Sequence, residues 1–182
     1  MCLKRDSSII ISSLWIIFLL PCYNLIEWII MGKSITHVSI EPDYVLLLVL
    51  AAFIEEFIFR RWLFGVLWHN MQLNISYSML VTNAVFATYH LCNIFSYASV
   101  TYGIIQSIVA FSFGTAMSTI YRERNSLTIC ILAHLLVNVS SVLHVATDIS
   151  GKYVLHRYQI VALSIVSCVY LFYSMRRLTS VH

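Results

Sequence analysis

The sequence is dominated by apolar runs that are long enough to cross a lipid bilayer. A spanning helix needs about 20 mostly apolar residues, and segments of roughly that length follow one another along the chain, at residues 8–31, 44–68, 76–95, 99–121, 127–146 and 158–175. Backbone groups in lipid must satisfy their own hydrogen bonds, and the runs lack the alternating pattern of barrel strands. The sequence therefore predicts an all-α, polytopic bundle of about six transmembrane helices.

The composition supports a membrane location. Only 10% of the residues are charged and 60% are hydrophobic, whereas soluble domains have about 25% and 45–50%. The apolar runs use up most of the 182 residues, so we expect a single integral membrane domain over residues 1–182, with a motif core at about 44–146. The surrounding partner is membrane lipid, and a net charge of +3 gives no reason to expect nucleic acid.

The basic residues predict the orientation of the chain, because cytoplasmic loops are enriched in Lys and Arg. An N-terminus on the cytoplasmic side places more basic residues inside than outside. The inside set is Lys4, Arg5, Arg122, Arg124, Arg176 and Arg177, and the outside set is Lys33, Lys152 and Arg157. We therefore expect both termini to be cytoplasmic.

Glu55, Glu56 and Arg60 lie inside the second apolar run. A charged side chain at membrane depth is disfavoured by about 2.5 kcal/mol or more on insertion scales, so such residues point to function. Glu56 and Arg60 are four residues apart and share a helix face, which predicts a supporting ion pair. Glu55 is offset from Glu56 by roughly 100°. It is the freer carboxylate and the better candidate for a general base.

Two later runs each carry a pair of side chains four residues apart. Phe86 and His90 share a face of the third predicted helix, where the histidine is either catalytic or a hydrogen-bonded helix contact. His134 and Asn138 share a face of the fifth. An imidazole beside a carboxamide suits the developing oxyanion of acyl transfer, although the same pair could merely join helices.

The three elements resemble a known family when they are taken in order. Residues 55–60, 86–90 and 134–138 read EEFIFR, FATYH and HLLVN. These segments resemble the EExxxR, FxxxH and HxxxN motifs of the type II CAAX-protease and bacteriocin-processing (CPBP, Abi) family of intramembrane endopeptidases. The resemblance extends from the second predicted helix to the fifth. Each motif is short, but three in this order on apolar helices are specific together.

The resemblance implies peptide hydrolysis without a cofactor. Glu55 would activate a water together with His90, while His134 and Asn138 would stabilise the oxyanion. The motif residues that would support the site are Glu56, Arg60 and Phe86.

The resemblance also implies a class of substrate and a location. The chain is shorter than the eukaryotic prenyl-protein proteases and is similar to small members that clip C-terminal sorting signals or process peptides in bacteria. We therefore expect a membrane-associated protein or peptide as substrate, with a C-terminal sorting signal as one candidate. The expected location is the bacterial plasma membrane.

Other mechanisms and functions remain open at the level of sequence. Glu55, His90 and His134 could form the His₂Glu ligand set of a catalytic zinc, although no HExxH is present. Cys130 lies one turn before His134, and a Cys/His pair can serve nucleophilic catalysis. In a different class of protein, Glu and His within spans would relay protons in a transporter or join the helices of a non-catalytic membrane scaffold.

Overall fold

The structure is a computed structural model that describes residues 7–30, 42–97, 99–144 and 156–179. Every regular element in these residues is helical, so the predicted all-α fold class is confirmed. The elements are α1 (Ser7–Ile30), α2 (Pro42–Glu56), π1 (Phe57–Leu63), π2 (Val66–Asn70), α3 (Ile75–Leu91), α4 (Asn93–Tyr97), α5 (Val100–Arg124), α6 (Leu127–His144) and α7 (Arg157–Thr179).

The second predicted span differs from a plain α-helix. Directly after Glu56, the chain continues as the π-helical segments π1 and π2, which are separated by Phe64 and Gly65. A π-helix closes hydrogen bonds from i to i+5, so its turns are wider, and such segments are found disproportionately at functional sites. The glutamate pair therefore sits where the helix changes its geometry.

The described helices vary in how well they satisfy the requirements for a membrane crossing. Helices α5 and α7 are long and apolar enough to cross a bilayer, and shorter apolar stretches occur at Trp15–Ile30 and Leu127–Ser141. Many large apolar side chains on the outside of the bundle are exposed, among them Phe18, Leu50 and Ile165. Such faces suit contact with lipid tails. The number of crossings stays a prediction.

Helix α5 packs between α3 and α7. It runs antiparallel to α3, since Ser118 lies against Asn83 at one level and Ser107 donates to the Ala87 carbonyl at another. The close approach depends on Gly114, where an added Cβ would come within 2.7 Å of Asn83 Oδ1. Helices in lipid have no hydrophobic driving force between them, and they pack tightly where small residues let their backbones approach. This contact fixes α3, which carries Phe86 and His90.

Helices α2 and α6 also pack against each other, and they run antiparallel. Asn138, late in α6, donates to the Leu48 carbonyl early in α2, while His134 contacts Glu56 at the end of α2. Helix α1 covers α6 and α7. The register of α2 on α6 decides which side chains meet in the candidate site.

The described basic residues are divided between the two ends of the bundle. Arg122 near the end of α5 donates to the Arg177 carbonyl near the end of α7 at 3.0 Å, so these two helices end together. Helix α1 is antiparallel to α7, because Trp15 packs on Tyr173 and Glu27 bonds Gln159. The described arginines of the predicted inside set therefore lie at the end where α1 begins. Lys4, Arg5, Lys33 and Lys152 fall outside the described residues.

Candidate active site

The imidazole of His134 lies between the two adjacent glutamates. Its Nδ1 is 2.8 Å from Glu56 Oε1, and its Nε2 is 3.5 Å from Glu55 Oε2. The Glu56 side chain is completely buried, whereas that of Glu55 retains 17% of its exposure. Glu55 is thus the carboxylate with an open side, as its position on the helix predicted. The sequence did not predict the contact between Glu56 and His134.

Arg60 neutralises Glu56 from the other side. Its Nε lies 3.1 Å from Glu56 Oε2, and both side chains are fully buried, so the ion pair predicted from their spacing is present. The N–H does not point along the line to the carboxylate oxygen as a hydrogen bond would require. Arg60 Cζ lies 4.9 Å from the centre of the Phe86 ring. The buried guanidinium is therefore held by charge and by an aromatic face.

Phe86 is the residue that brings His90 into the group. The Phe86 ring is 4.5 Å from the His90 ring and 6.1 Å from the His134 ring, measured between centroids. His90 Nδ1 lies 2.9 Å from the Phe86 carbonyl oxygen. Because a carbonyl only accepts, Nδ1 carries the proton, and in the neutral ring Nε2 is left as an acceptor. Among the described residues, no hydrogen bond or ion pair joins His90 directly to Glu55.

Asn83 lies two turns before His90 on α3, and its hydrogen-bond partners are other groups. Its Nδ2 donates to the Met79 carbonyl at 2.8 Å and to Ser118 Oγ at 3.2 Å. Asn83 is fully buried between α3 and α5. It holds the two helices together, and the orientation of His90 comes from the backbone of Phe86 instead.

Asn138 and Cys130 lie one turn to either side of His134. Asn138 Nδ2 is 3.5 Å from the Leu48 carbonyl of α2, which is a long hydrogen bond. Cys130 is fully buried, and its thiol donates to the Met117 carbonyl of α5 at 3.6 Å. Its sulfur therefore faces α5, which does not favour the nucleophilic alternative.

The comparison with known protein families covers this whole site. The family model described as Type II CAAX prenyl endopeptidase Rce1-like matches residues 38–140, which is more than half of the chain and includes every motif residue. The chain belongs to this family. No curated protein and no solved structure matched it. The protein is thus an integral membrane protein of a protease family, and its substrate is a protein or a peptide.

The site of this Rce1-like protein does not gather a set of zinc ligands. Both ring nitrogens of His134 already face carboxylates, and His90 Nδ1 is used by the Phe86 carbonyl. Within residues that the structure describes, no group of three or more His, Cys, Asp or Glu side chains is arranged to hold a metal ion. The donor set proposed from the sequence, Glu55 with the two histidines, is therefore not gathered around one point in the described part of the chain.

A further buried carboxylate in this family member, that of Glu27, was not predicted from the sequence. Glu27 lies on α1 with 3% exposure, accepts a hydrogen bond from Gln159 Nε2 of α7, and has Tyr23 and Tyr158 beside it. The signal that could have found it is the one that found Glu55, an acidic residue within an apolar run. The cluster joins α1 to α7 on the side of the bundle away from α3.

Proposed function

We propose that the protein is an intramembrane endopeptidase in which Glu55 activates the hydrolytic water. The observation that carries the proposal is a carboxylate with one open side, 3.5 Å from an imidazole nitrogen within a largely buried group of charges. A partly desolvated carboxylate that keeps access to water is suited to general base catalysis. The open side of Glu55 is where a water and a peptide carbonyl would enter.

The reaction can be assigned to atoms of this chain. The water oxygen attacks the carbonyl carbon of the scissile peptide while its proton passes to Glu55, and His90 Nε2 accepts a hydrogen bond from the same water. The carbonyl oxygen becomes an oxyanion near His134 Nε2 and Asn138 Nδ2. Glu55 then passes its proton to the leaving amine nitrogen as the C–N bond breaks. One general base contributes about 10²–10⁴-fold, and one oxyanion donor about 10²–10³-fold.

His90 and Asn138 must come closer to Glu55 than they lie in the free protein for this reaction to occur. His90 reaches the group through Phe86, and Asn138 is held by the Leu48 carbonyl. Catalytic hydrogen bonds are often long in the free enzyme and shorten in the complex with substrate. The long 3.5 Å bond of Asn138 is one that an oxyanion would readily replace.

The metal-free mechanism is preferred to the zinc alternative because the three candidate ligands do not converge. Among the described residues, Glu55, His90 and His134 are not grouped as a metal ion would require. Metal analysis of the purified, active protein tests this part. Stoichiometric zinc that is required for activity would contradict the glutamate mechanism.

The proposed substrate is a membrane-associated protein or peptide, with a C-terminal signal as the cleaved segment. The proposed location is the bacterial plasma membrane, with both termini in the cytoplasm. Membership of the family supports a peptide substrate in a membrane setting. We expect a substrate to reach the open side of Glu55 as an extended segment.

The deciding experiment replaces Glu55 by glutamine, which keeps the shape and removes the base. Purified protein in liposomes is incubated with a quenched peptide that ends in a farnesylated CAAX sequence and with its unprenylated copy. In parallel, membrane peptides are compared by mass spectrometry in cells that express either form. We expect loss of cleavage by at least about 100-fold in Glu55→Gln at an unchanged protein level. Glu123→Gln is the matched control, since its carboxylate also retains 17% exposure but lies at the end of α5.

Two results would contradict the proposal. One is full activity of the Glu55→Gln protein on any product that the wild-type protein forms. The other is a wild-type protein that forms no product in either assay but moves ions or solutes across the liposome membrane, which would favour a transporter.

A further inference from the structure

Glu56 makes a contact that its pairing with Arg60 does not explain. Its two carboxylate oxygens are divided between two partners, Oε2 with Arg60 at 3.1 Å and Oε1 with His134 Nδ1 at 2.8 Å. The second distance is short, and both groups are buried, with His134 at 6% and Glu56 at 0% side-chain exposure. This geometry is that of a charge-assisted hydrogen bond, which is about twice as strong as a neutral one.

The contact determines which nitrogen of His134 is available for the reaction. An ionised carboxylate only accepts, so the hydrogen bond with Glu56 requires a proton on Nδ1 of His134. Nε2 is therefore the nitrogen that faces Glu55 and the entering substrate. In a dry site, the hydrogen bond at one ring nitrogen fixes the orientation of the ring and leaves the other nitrogen to face the reaction.

We infer that Glu56 is a positioning residue of the hydrolysis, which acts on the reaction through His134. Glu56 keeps the proton on Nδ1 and fixes the plane of the ring, so that Nε2 points at the oxyanion beside Glu55. This inference rests on the proposed function. It adds to the role that the motif resemblance implied, in which Glu56 with Arg60 holds the helix in place.

The balance of charge in the group supports this role. To donate from Nε2 to an oxyanion while Nδ1 donates to Glu56, the ring must carry both protons and a positive charge. Two carboxylates then face one imidazolium and one guanidinium, so the group as a whole is neutral. Opposite charges attract strongly where water is scarce. Without Glu56, the charged ring would lose the partner that best compensates it.

The competing explanation is that Glu56 only neutralises the buried Arg60. In that case, removal of Glu56 would be harmful because it leaves an uncompensated buried charge, which lowers stability. Removal of both partners would then restore the protein. A role through His134 predicts the opposite, since the double change leaves no carboxylate on Nδ1.

The test therefore compares Glu56→Gln, Arg60→Gln and the double variant E56Q/R60Q in liposomes. The readouts are the protein level, the thermal unfolding midpoint and the turnover of the farnesylated probe peptide, or of the Glu55-dependent membrane peptides if that probe is not cleaved. We expect the double variant to fold, with turnover at least about 100-fold below wild type, because loss of the carboxylate that orients a catalytic histidine lowers turnover by up to about 10⁴-fold. Arg60→Gln should lose less activity than the double variant.

A spectroscopic measurement separates positioning from packing. The ring nitrogens of His134 are observed by ¹⁵N NMR, with the signal identified by its absence in His134→Gln. We expect the wild-type signal to report a protonated Nδ1 and the E56Q/R60Q signal to move. Conservative Glu56→Asp should recover part of the turnover lost in Glu56→Gln.

Two outcomes would overturn the inference. One is a double variant as active as Arg60→Gln. The other is a His134 signal that is the same with and without Glu56. If Glu55→Gln is inactive in the same series, the inference alone fails and the proposed function stands. An active Glu55→Gln protein would remove the proposed function itself.

Discussion

At the scale of single residues, the site is organised by the need to compensate buried charge. Glu56 and Arg60 are fully buried, and each is tolerated because the other lies 3.1 Å away. Removing one member of such a pair is far more harmful than replacing both. Glu55 has less need of a compensating partner, because one side of its carboxylate is open. The same opening gives it access to water. Adjacent carboxylates thus differ in environment, which suits them to different tasks.

Asn138 provides a test at this scale. We expect Asn138→Ala to lower turnover by about 10²–10³-fold with little change in KM, because the lost donor would act on the oxyanion rather than on the bound substrate. The unfolding midpoint should change little, since the hydrogen bond to the Leu48 carbonyl is long at 3.5 Å.

The matched control for Asn138 is Asn93→Ala, which removes an amide that donates to Gln106 of α5 and has no proposed role in the reaction. Its turnover should remain near that of the wild type. Unchanged turnover in Asn138→Ala would show that this amide only ties α6 to α2.

At the scale of helices, the packing of α3 on α5 holds the aromatic side of the site. Gly114 allows Asn83 to lie against α5, and Asn83 is held there by Ser118. The same glycine borders Phe86, since an added Cβ would come within 3.2 Å of that ring. The Phe86 ring contacts Arg60, His90 and His134, so a shift of α3 would move all of these contacts.

Gly114→Ala tests this coupling. The added methyl group would be 2.7 Å from the buried Asn83 Oδ1, so the helices must move apart. We expect a loss of about 1–3 kcal/mol in the free energy of unfolding and a fall in turnover. Both are measured on protein purified in the same detergent.

Gly65→Ala is the control for this change, because nothing lies within 4 Å of a Cβ added there. That change should be neutral or slightly stabilising, by up to about 1 kcal/mol. Equal stability of the two alanine variants would contradict the packing account.

At the scale of the whole molecule, the packing of the helices brings most of the described arginines to one end of the bundle. Arg122, Arg124, Arg176 and Arg177 lie at one end of the bundle, and Arg157 lies at the start of α7, at the other. Basic residues on one side are retained in the cytoplasm during insertion. In the described part of the chain, the bundle therefore has one strongly basic end, which we expect to be cytoplasmic.

Labelling from one side of the membrane tests the orientation. In a background without the native cysteines, Thr128→Cys reports the basic end and Thr101→Cys reports the opposite end; both threonines are exposed. In right-side-out vesicles, we expect an impermeant maleimide to label position 101 and to label position 128 only after lysis. Labelling of position 128 before lysis would mean that the orientation is reversed.

Much of the fold and part of the site could be predicted from the sequence. Apolar runs gave the helices to within a few residues, except where the second run changes to π-helix after Glu56. The ion pair of Glu56 with Arg60 was also predictable, because residues four apart in a helix share a face whatever surrounds them. The three motifs placed the chain in the family that the comparison identified.

The contacts between helices could not be predicted in this way. Asn83 lies two turns from His90 on the same helix face, yet its partners are Met79 and Ser118. Likewise, His134 contacts Glu56 as well as facing Glu55, and His90 reaches the group through Phe86.

The sequence by itself determined which helices form and which polar side chains each of them carries, because hydrophobic length and helix periodicity are local properties of the chain. Only the tertiary structure decided which of those side chains meet. That outcome depends on the rotation and register of each helix against its neighbours, set here by Gly114 between α3 and α5 and by the contact of α2 with α6. A rotation of one residue, about 100°, would have turned Glu56 away from His134.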